Sequence, residues 1–154
     1  DLRQAITIFQ KAYLTMQVPE NEEAWFISDL EQSFDPKRKE IYDFYKIVNE
    51  QGKMVSFGAL GSLPFTRGSW VLRWGTTDPD YQKKGLMSML TEFRIKEAER
   101  LTKGIAGNIQ VMARRPNIYK RFGFRPIYRR GPENDATHMV LVINQDLDLL
   151  DKVA

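Results

Sequence analysis

The sequence predicts an α/β domain built on a mixed sheet, and three observations lead there. Two segments with apolar residues at helical spacing open the chain. Three short runs rich in branched and aromatic residues follow, divided by turn signals. A helix, strand, helix, strand, strand succession completes the chain. With 154 residues, 42% hydrophobic and 28% charged, it has the size and composition of one folded domain, and residues 1–154 are read as one. No repeat, low-complexity tract or linker interrupts it.

Leu2, Ala5, Ile6, Phe9, Tyr13 and Met16 recur at helical spacing, so residues 2–16 read as an amphipathic helix ended by Val18-Pro19. Asn21 is placed to cap a second helix carrying Trp25, Leu30 and Phe34 on one face, which Asp35-Pro36 stops. Residues 41–48 and 54–63 read as strands divided by the turn signal Glu50-Gln51-Gly52-Lys53. Gly58 and Gly61 inside the second strand point to a bulge or a close backbone approach. After a turn over 64–68 comes a third strand, 69–76. The main helix starts at Leu86, with Leu86, Met89, Leu90, Phe93, Glu97 and Leu101 near one stripe, and Gly104 stops it. Residues 105–112 form a short apolar strand. Pro116 suits the first turn of a short helix reaching Phe122. Strands 125–128 and 137–143 follow, joined by a turn-rich segment, 131–135.

Composition narrows the function. The absence of cysteine excludes a disulfide scaffold, a thiolate metal site and a cysteine nucleophile. A single histidine, His138, argues against a histidine zinc site or a Ser-His-Asp triad, so no metal is expected. With no membrane-length apolar run and no signal-peptide pattern, the expected setting is cytoplasmic, away from membranes. Net charge is only +3, poor support for a nucleic-acid partner. The basic residues nevertheless cluster at Arg114, Arg115, Lys120, Arg121, Arg125, Arg129 and Arg130, which reads either as a solvated face or as an anion site.

The most informative segment is Thr77-Asp78-Pro79-Asp80-Tyr81-Gln82-Lys83-Lys84-Gly85-Leu86-Met87, between the third strand and the main helix. A strand, a glycine-bearing turn and a helix start form a geometry for gripping phosphate. Helix N-terminal N–H groups lack intrahelical partners and carry the positive end of the dipole. Gly85 permits close approach, and Lys83 and Lys84 add charge. A second segment, Ile118-Tyr119-Lys120-Arg121-Phe122-Gly123-Phe124, lies one helix and one strand downstream.

Together these two segments resemble the GNAT superfamily of acyl-CoA-dependent N-acetyltransferases. The family's central motif reads a hydrophobic strand, Val-Asp-Pro-x-Tyr, then Arg/Gln-x-x-Gly-x-Gly/Ala; its later motif reads Leu-Tyr-x-x-x-Gly-Phe. The resemblance spans about residues 41–143 and is specific for fold and coenzyme, not for acceptor. It implies a mixed, mostly antiparallel sheet, flanked by helices and splayed between the third strand and the strand after the main helix. Acetyl-CoA would enter the splay and pair with backbone at Gly75, Thr76 and Thr77. Its pyrophosphate would lie over Gln82, Lys83, Lys84, Gly85, Leu86 and Met87, with Lys120 and Arg121 beside it. Tyr119 would protonate the departing thiolate, and an N–H near Thr76 would polarise the thioester carbonyl. The acetyl group would pass directly to a primary amine of a small molecule, peptide or protein. Family members often pair through their late strands, so a homodimer is a further expectation. The alternatives are a non-catalytic coenzyme-binding or protein-interaction domain, and an acyltransferase with another acyl donor or a nucleic-acid acceptor.

Several positions depart from the family pattern. Gln82 stands where Arg is frequent, Met87 where Gly or Ala is usual, Met112 where Asn is often found, and Arg115 where a small residue is expected. No glutamate occupies the third strand, so the general base is left open among Glu20, Glu22, Glu23, Asp43, His138, a water chain and no dedicated base at all. Each of these residues also has an ordinary structural role to play, as a helix-start or strand residue. Trp70 and Trp74 alternate onto one sheet face as core. Arg73, on the other face, either binds an acceptor carboxylate or pairs with a neighbouring acid.

Overall fold

Alternating branched and aromatic residues make strands of Tyr42–Val48 (β1), Met54–Ser62 (β2) and Ser69–Thr77 (β3). The computed structural model describes residues 1–14, 21–38, 42–63, 66–129 and 136–144. Before β1 lie two helices, Leu2–Tyr13 (α1) and Glu22–Gln32 (α2). After β3 come a 3-10 turn at Pro79–Tyr81, the long helix Leu86–Thr102 (α3) and the strand Gly107–Ala113 (β4). Pro116–Lys120 (α4), Arg125–Arg129 (β5) and Thr137–Ile143 (β6) close the order. The expectations at Met16, Val18-Pro19, Glu20, Ile41, Pro64, Arg130 and the 131–135 turn lie outside the described residues.

The six strands run β1-β2-β3-β4-β6-β5, antiparallel throughout except for β3 and β4, which are parallel. This is the mixed, mostly antiparallel sheet that was expected. Each face has its own core. Ala5, Ile8 and Phe9 of α1 and Phe26 and Leu30 of α2 pack on Met54 and Phe57. Phe9 and Phe26 stack at 4.2 Å, and Phe26 and Phe57 at 5.3 Å. On the other face, Ile95 and Ala98 of α3 pack with Leu60, Trp70, Leu72, Ile109, Val111 and Met139. β2 lies under both layers, and its residues from Met54 to Gly61 are all buried.

Three side-chain directions differ from the sequence reading. In α2, Phe26 and Leu30 are buried, whereas Trp25, and Phe34 just beyond the helix end, are 55% and 65% exposed. In α3 the buried face runs through Leu90, Thr91, Arg94, Ile95, Ala98 and Thr102, leaving Met89 and Phe93 exposed. Threonines and an arginine on that face disguise it as polar; hydrogen bonds make their burial tolerable. Trp70 and Trp74 sit on opposite faces: Trp70 packs beneath α3, and Trp74 packs with the α1–α2 core. Between Ala59 and Phe57, β3 holds two residues, Trp74 and Gly75, opposite one, Gly58. The extra residue is a β-bulge, and Trp74 takes φ 56° there. Strand parity is broken at that point.

β3 and β4 are clamped at their first residues. Asn108 N–H donates to the Gly68 carbonyl at 2.8 Å. Trp70 Nε1 donates to Thr102 Oγ1 at 2.9 Å. A Cβ on Gly107 would overlap the Gly68 carbonyl oxygen. Gly107→Ala is therefore expected to cost about 1–3 kcal/mol through backbone displacement. Gly104→Ala, with open space around it and only φ 77° strain, should cost about 1 kcal/mol. Urea midpoints of the two variants against the parent check the order.

Candidate functional site

Pairing between β3 and β4 covers only Ser69–Leu72 against Asn108–Val111. Beyond Leu72 the two strands separate, while β3 remains paired to β2 as far as Thr77. The bulge lies where separation begins, so clamp, bulge and splay succeed one another along β3. Ser56 Oγ donates to the Thr76 carbonyl at 3.0 Å, and Thr76 Oγ1 to the Trp74 carbonyl at 3.1 Å. These bonds hold the irregular strand end.

From the splay the chain turns into α3. Asp78 caps the 3-10 turn by accepting from Asp80 N–H at 3.0 Å, and its own N–H donates to Val55 O at 2.9 Å. It is 2% exposed and pairs with Lys11 of α1 at 2.8 Å. Lys11 also reaches Asp80 at 2.6 Å. Burial alone would push the Asp78 carboxyl up; Lys11, Asp80 N–H and Lys53 overcome this and hold it below its ordinary value. Lys83 and Gly85 both take positive φ, 61° and 75°. Gly85 is the N-cap of α3, no side chain caps it, and the first helical bond is Met89 N–H to Gly85 O. The N–H groups of the first turn are thus left to bind something else. Arg121 swings over from the end of α4, its Nη2 donating to Ser88 Oγ at 3.3 Å.

Splay and helix start open into one cleft of about 750 Å³. Arg73, Gly75, Thr76, Thr77, Gln82, Lys83, Gly85, Leu86, Met87, Tyr119 and Arg121 line it, so eleven residues singled out from sequence meet there. Lys84 and Lys120 do not. The Lys84 ammonium lies over the Tyr81 ring at 5.1 Å, and Lys120 faces a smaller hollow with Pro116, Pro126 and Tyr128. Tyr119 meets Phe124 edge-on at 5.6 Å and leans on the α3-side core.

No protein-family model and no curated protein matches the sequence. Solved structures do. The ribosomal-protein-S18-alanine N-acetyltransferase of Escherichia coli superposes at TM-score 0.64, with 24% identity over 92% of this chain and 86% of that one. A putative GNAT-family acetyltransferase of Desulfovibrio desulfuricans gives 0.71, with 17% identity over 93% and 91%. The PaiA N-acetyltransferase of Thermoplasma acidophilum, solved with coenzyme A, gives 0.67, with 16% identity over 91% of both chains. The chain has the GNAT fold.

Within that fold, the far wall of the cleft holds Tyr13, Glu22 and Trp25 from the first two helices, with Arg114 and Arg115 from the end of β4. Arg114 pairs with Glu22 at 2.9 Å and lies 5.9 Å from the Tyr13 ring. Glu22 is the one carboxylate on the cleft wall among the described residues. The other bases considered lie elsewhere: Glu23 accepts from Gln10, Asp43 pairs with Arg38, and His138 meets Gln110 at 2.9 Å. Arg73 has the neighbouring acid that was one of its two readings, Asp29 at 3.1 Å, and it stacks over Trp74 at 4.8 Å. Asp29 also accepts from Trp74 Nε1 at 2.7 Å and the Tyr42 hydroxyl at 3.1 Å.

Arg94 is the cleft residue that sequence reasoning missed. Its signal was a phase: it falls on the helix face of Leu90, Thr91, Ile95 and Ala98, opposite glycines at 58 and 75 in the strands. It is fully buried. Among the described residues no metal-binding group of His, Cys, Asp or Glu is present, and no helix is long and apolar enough to cross a membrane.

Because its folded carboxyl is depressed, Asp78 adds stability that is complete above its ordinary range, near 3.8, and is lost as pH falls through its lower folded value. Asp78→Asn is therefore expected to lower the melting temperature at pH 6–7. The gap to the parent should narrow as pH drops below about 4. Thermal melts across that range check the sign.

Proposed function

We propose that the protein is an N-acetyltransferase, moving acetyl from acetyl-CoA directly to a primary amine. The observation that carries the reading is one cleft joining a splayed strand end, an uncapped helix start and a tyrosine. The strand beyond Leu72 offers unpaired backbone to a pantetheine arm. The first turn of α3, with Lys83 and Arg121, supplies donors and charge for a pyrophosphate. Coenzyme A in the superposed Thermoplasma enzyme supports the same ligand here.

In this reading, Gly75 and Thr76 N–H polarise the thioester carbonyl and hold the oxyanion. The amine nitrogen bonds to the carbonyl carbon, the C–S bond breaks, and the Tyr119 hydroxyl gives its proton to sulfur. Glu22, facing the acceptor side, is the carboxylate to take the proton released by the amine. Arg73 and Arg114, each already paired to an acid, and Arg115 are the cations on the acceptor side of the cleft.

Calorimetric titration of coenzyme A and acetyl-CoA tests the reading. Gly85→Asp places a negative charge at the helix start and should weaken both ligands at least tenfold, about 1.4 kcal/mol. Absence of binding to the parent chain rules the coenzyme out. With an acetylated amine acceptor in hand, Tyr119→Phe should lower kcat by about a hundredfold or more at unchanged coenzyme affinity. An unchanged kcat removes Tyr119 as the acid and leaves the transfer standing.

A further inference from the structure

A guanidinium with no carboxylate lies at the root of the splay. Arg94 is 0% exposed and pairs with no acid among the described residues, yet it lines the cleft. The fold makes room for it. A Cβ on Gly58 would come within 2.7 Å of Arg94 Nη1, and one on Gly75 within 3.6 Å of Nη2. Two glycines facing one another across the bulge form a slot for a charged group. An unpaired buried charge is costly unless hydrogen bonds or a ligand offset it.

The two ends of the guanidinium are unequally served. Nη1 donates to the Ala59 carbonyl at 3.0 Å and to the Arg73 carbonyl at 3.4 Å. Both carbonyls flank the bulge. Nη2 reaches Thr91 Oγ1 at 3.5 Å and Met87 Sδ at 3.9 Å, both at the far limit of hydrogen bonding, and the Tyr119 side chain is a further hydrogen-bonding neighbour of the guanidinium. The better-placed donor end therefore serves the backbone, and the weakly served end lies beside Met87 and Gly75, which line the cleft. Burial pushes the arginine below its ordinary value, and nearby Tyr119 opposes that. Arginine begins so high that it keeps its charge. Met87 Sδ and the Tyr119 side chain are its neighbours among the cleft-lining residues. The Met87 side chain is unbranched and adaptable, and it can turn aside for a ligand sulfur.

We propose that Arg94 Nη2 receives the coenzyme's sulfur as a thiolate, displacing Met87 Sδ. This rests on the reading of the cleft as a coenzyme A site. When the amine nitrogen bonds to the acyl carbon, the C–S electron pair leaves on sulfur. That charge faces Arg94 until the Tyr119 proton neutralises it. A fixed cation in a water-poor site stabilises the leaving group without reorganising. Arg94 also gives the protein affinity for free coenzyme A in its ionised form, and so makes product release dependent on pH.

The chain has no cysteine, so a thiolate signal in the complex comes from the coenzyme alone. The experiment is the ultraviolet difference between complexes with coenzyme A and with desulfo-coenzyme A, titrated with base. Subtraction removes the tyrosines. Bound thiol is expected to ionise about one pH unit below free coenzyme A in the same buffer, a tenfold larger thiolate-to-thiol ratio. Arg94→Met should abolish the difference, and Arg94→Lys should keep part of it. Coenzyme binding whose thiol ionises as in free solution overturns the proposal. If Arg94→Met fails to fold, the wild-type protein decides. Its affinity for coenzyme A relative to desulfo-coenzyme A should rise as pH approaches the thiol range, and a flat ratio overturns the assignment. Failure of both ligands to bind is a separate result and removes the coenzyme site itself.

Discussion

The separation of β3 from β4 beyond Leu72 and Val111 is the constraint on which the rest of the structure depends. Two parallel strands tied at one end and parted at the other leave backbone groups unpaired on facing edges. Such edges in a protein interior need another partner. The clamp at Gly68 and Gly107 keeps the first residues close, and the bulge at Trp74-Gly75 turns β3 aside where pairing stops. The 3-10 turn then carries the chain to the start of α3, so unpaired strand and uncapped helix face one cleft.

Several interactions serve that arrangement from a distance. Lys11 ties α1 to Asp78 and Asp80, anchoring the turn before α3 to the helical layer across the sheet. Arg114 ties the end of β4 to Glu22 at the start of α2. The carboxylate of Asp29 gathers Tyr42, Arg73 and Trp74 on the same layer. Exposed ion pairs contribute little stability on their own. Asp78 differs because it is buried and bonded to backbone as well as to lysine. It sets where the turn sits relative to β2 and α1.

Arg94 carries two consequences of the bulge at once. The irregular strand leaves carbonyls beside it, and the guanidinium satisfies those of Ala59 and Arg73. A hydrophobic side chain in the slot would leave them without these donors. Met87, a departure from the family's small residue, fits the same account. Its sulfur fills the space against Gly75 and Arg94 rather than crowding the helix start.

What the sequence determined by itself was local. Helical spacing, strand runs, Gly85, Gly104 and Pro116 act over a few residues, so the elements and their order were legible, with ends shifted by one to three positions. The two motif segments also named ten of the residues that line the cleft, because a phosphate-gripping turn is itself local chemistry. Tertiary structure alone decided which way side chains face once regularity is broken. The bulge reversed Trp74, since parity arguments presume an unbroken pleat. Packing chose Phe26 over Trp25, and Arg121 over Lys84 and Lys120 for the cleft. It also buried Arg94, an arginine that a helix read alone assigns to solvent. Its slot exists only when glycines more than a dozen residues apart in sequence meet on neighbouring strands. Such an environment is a product of non-local contacts, and no window of sequence contains it.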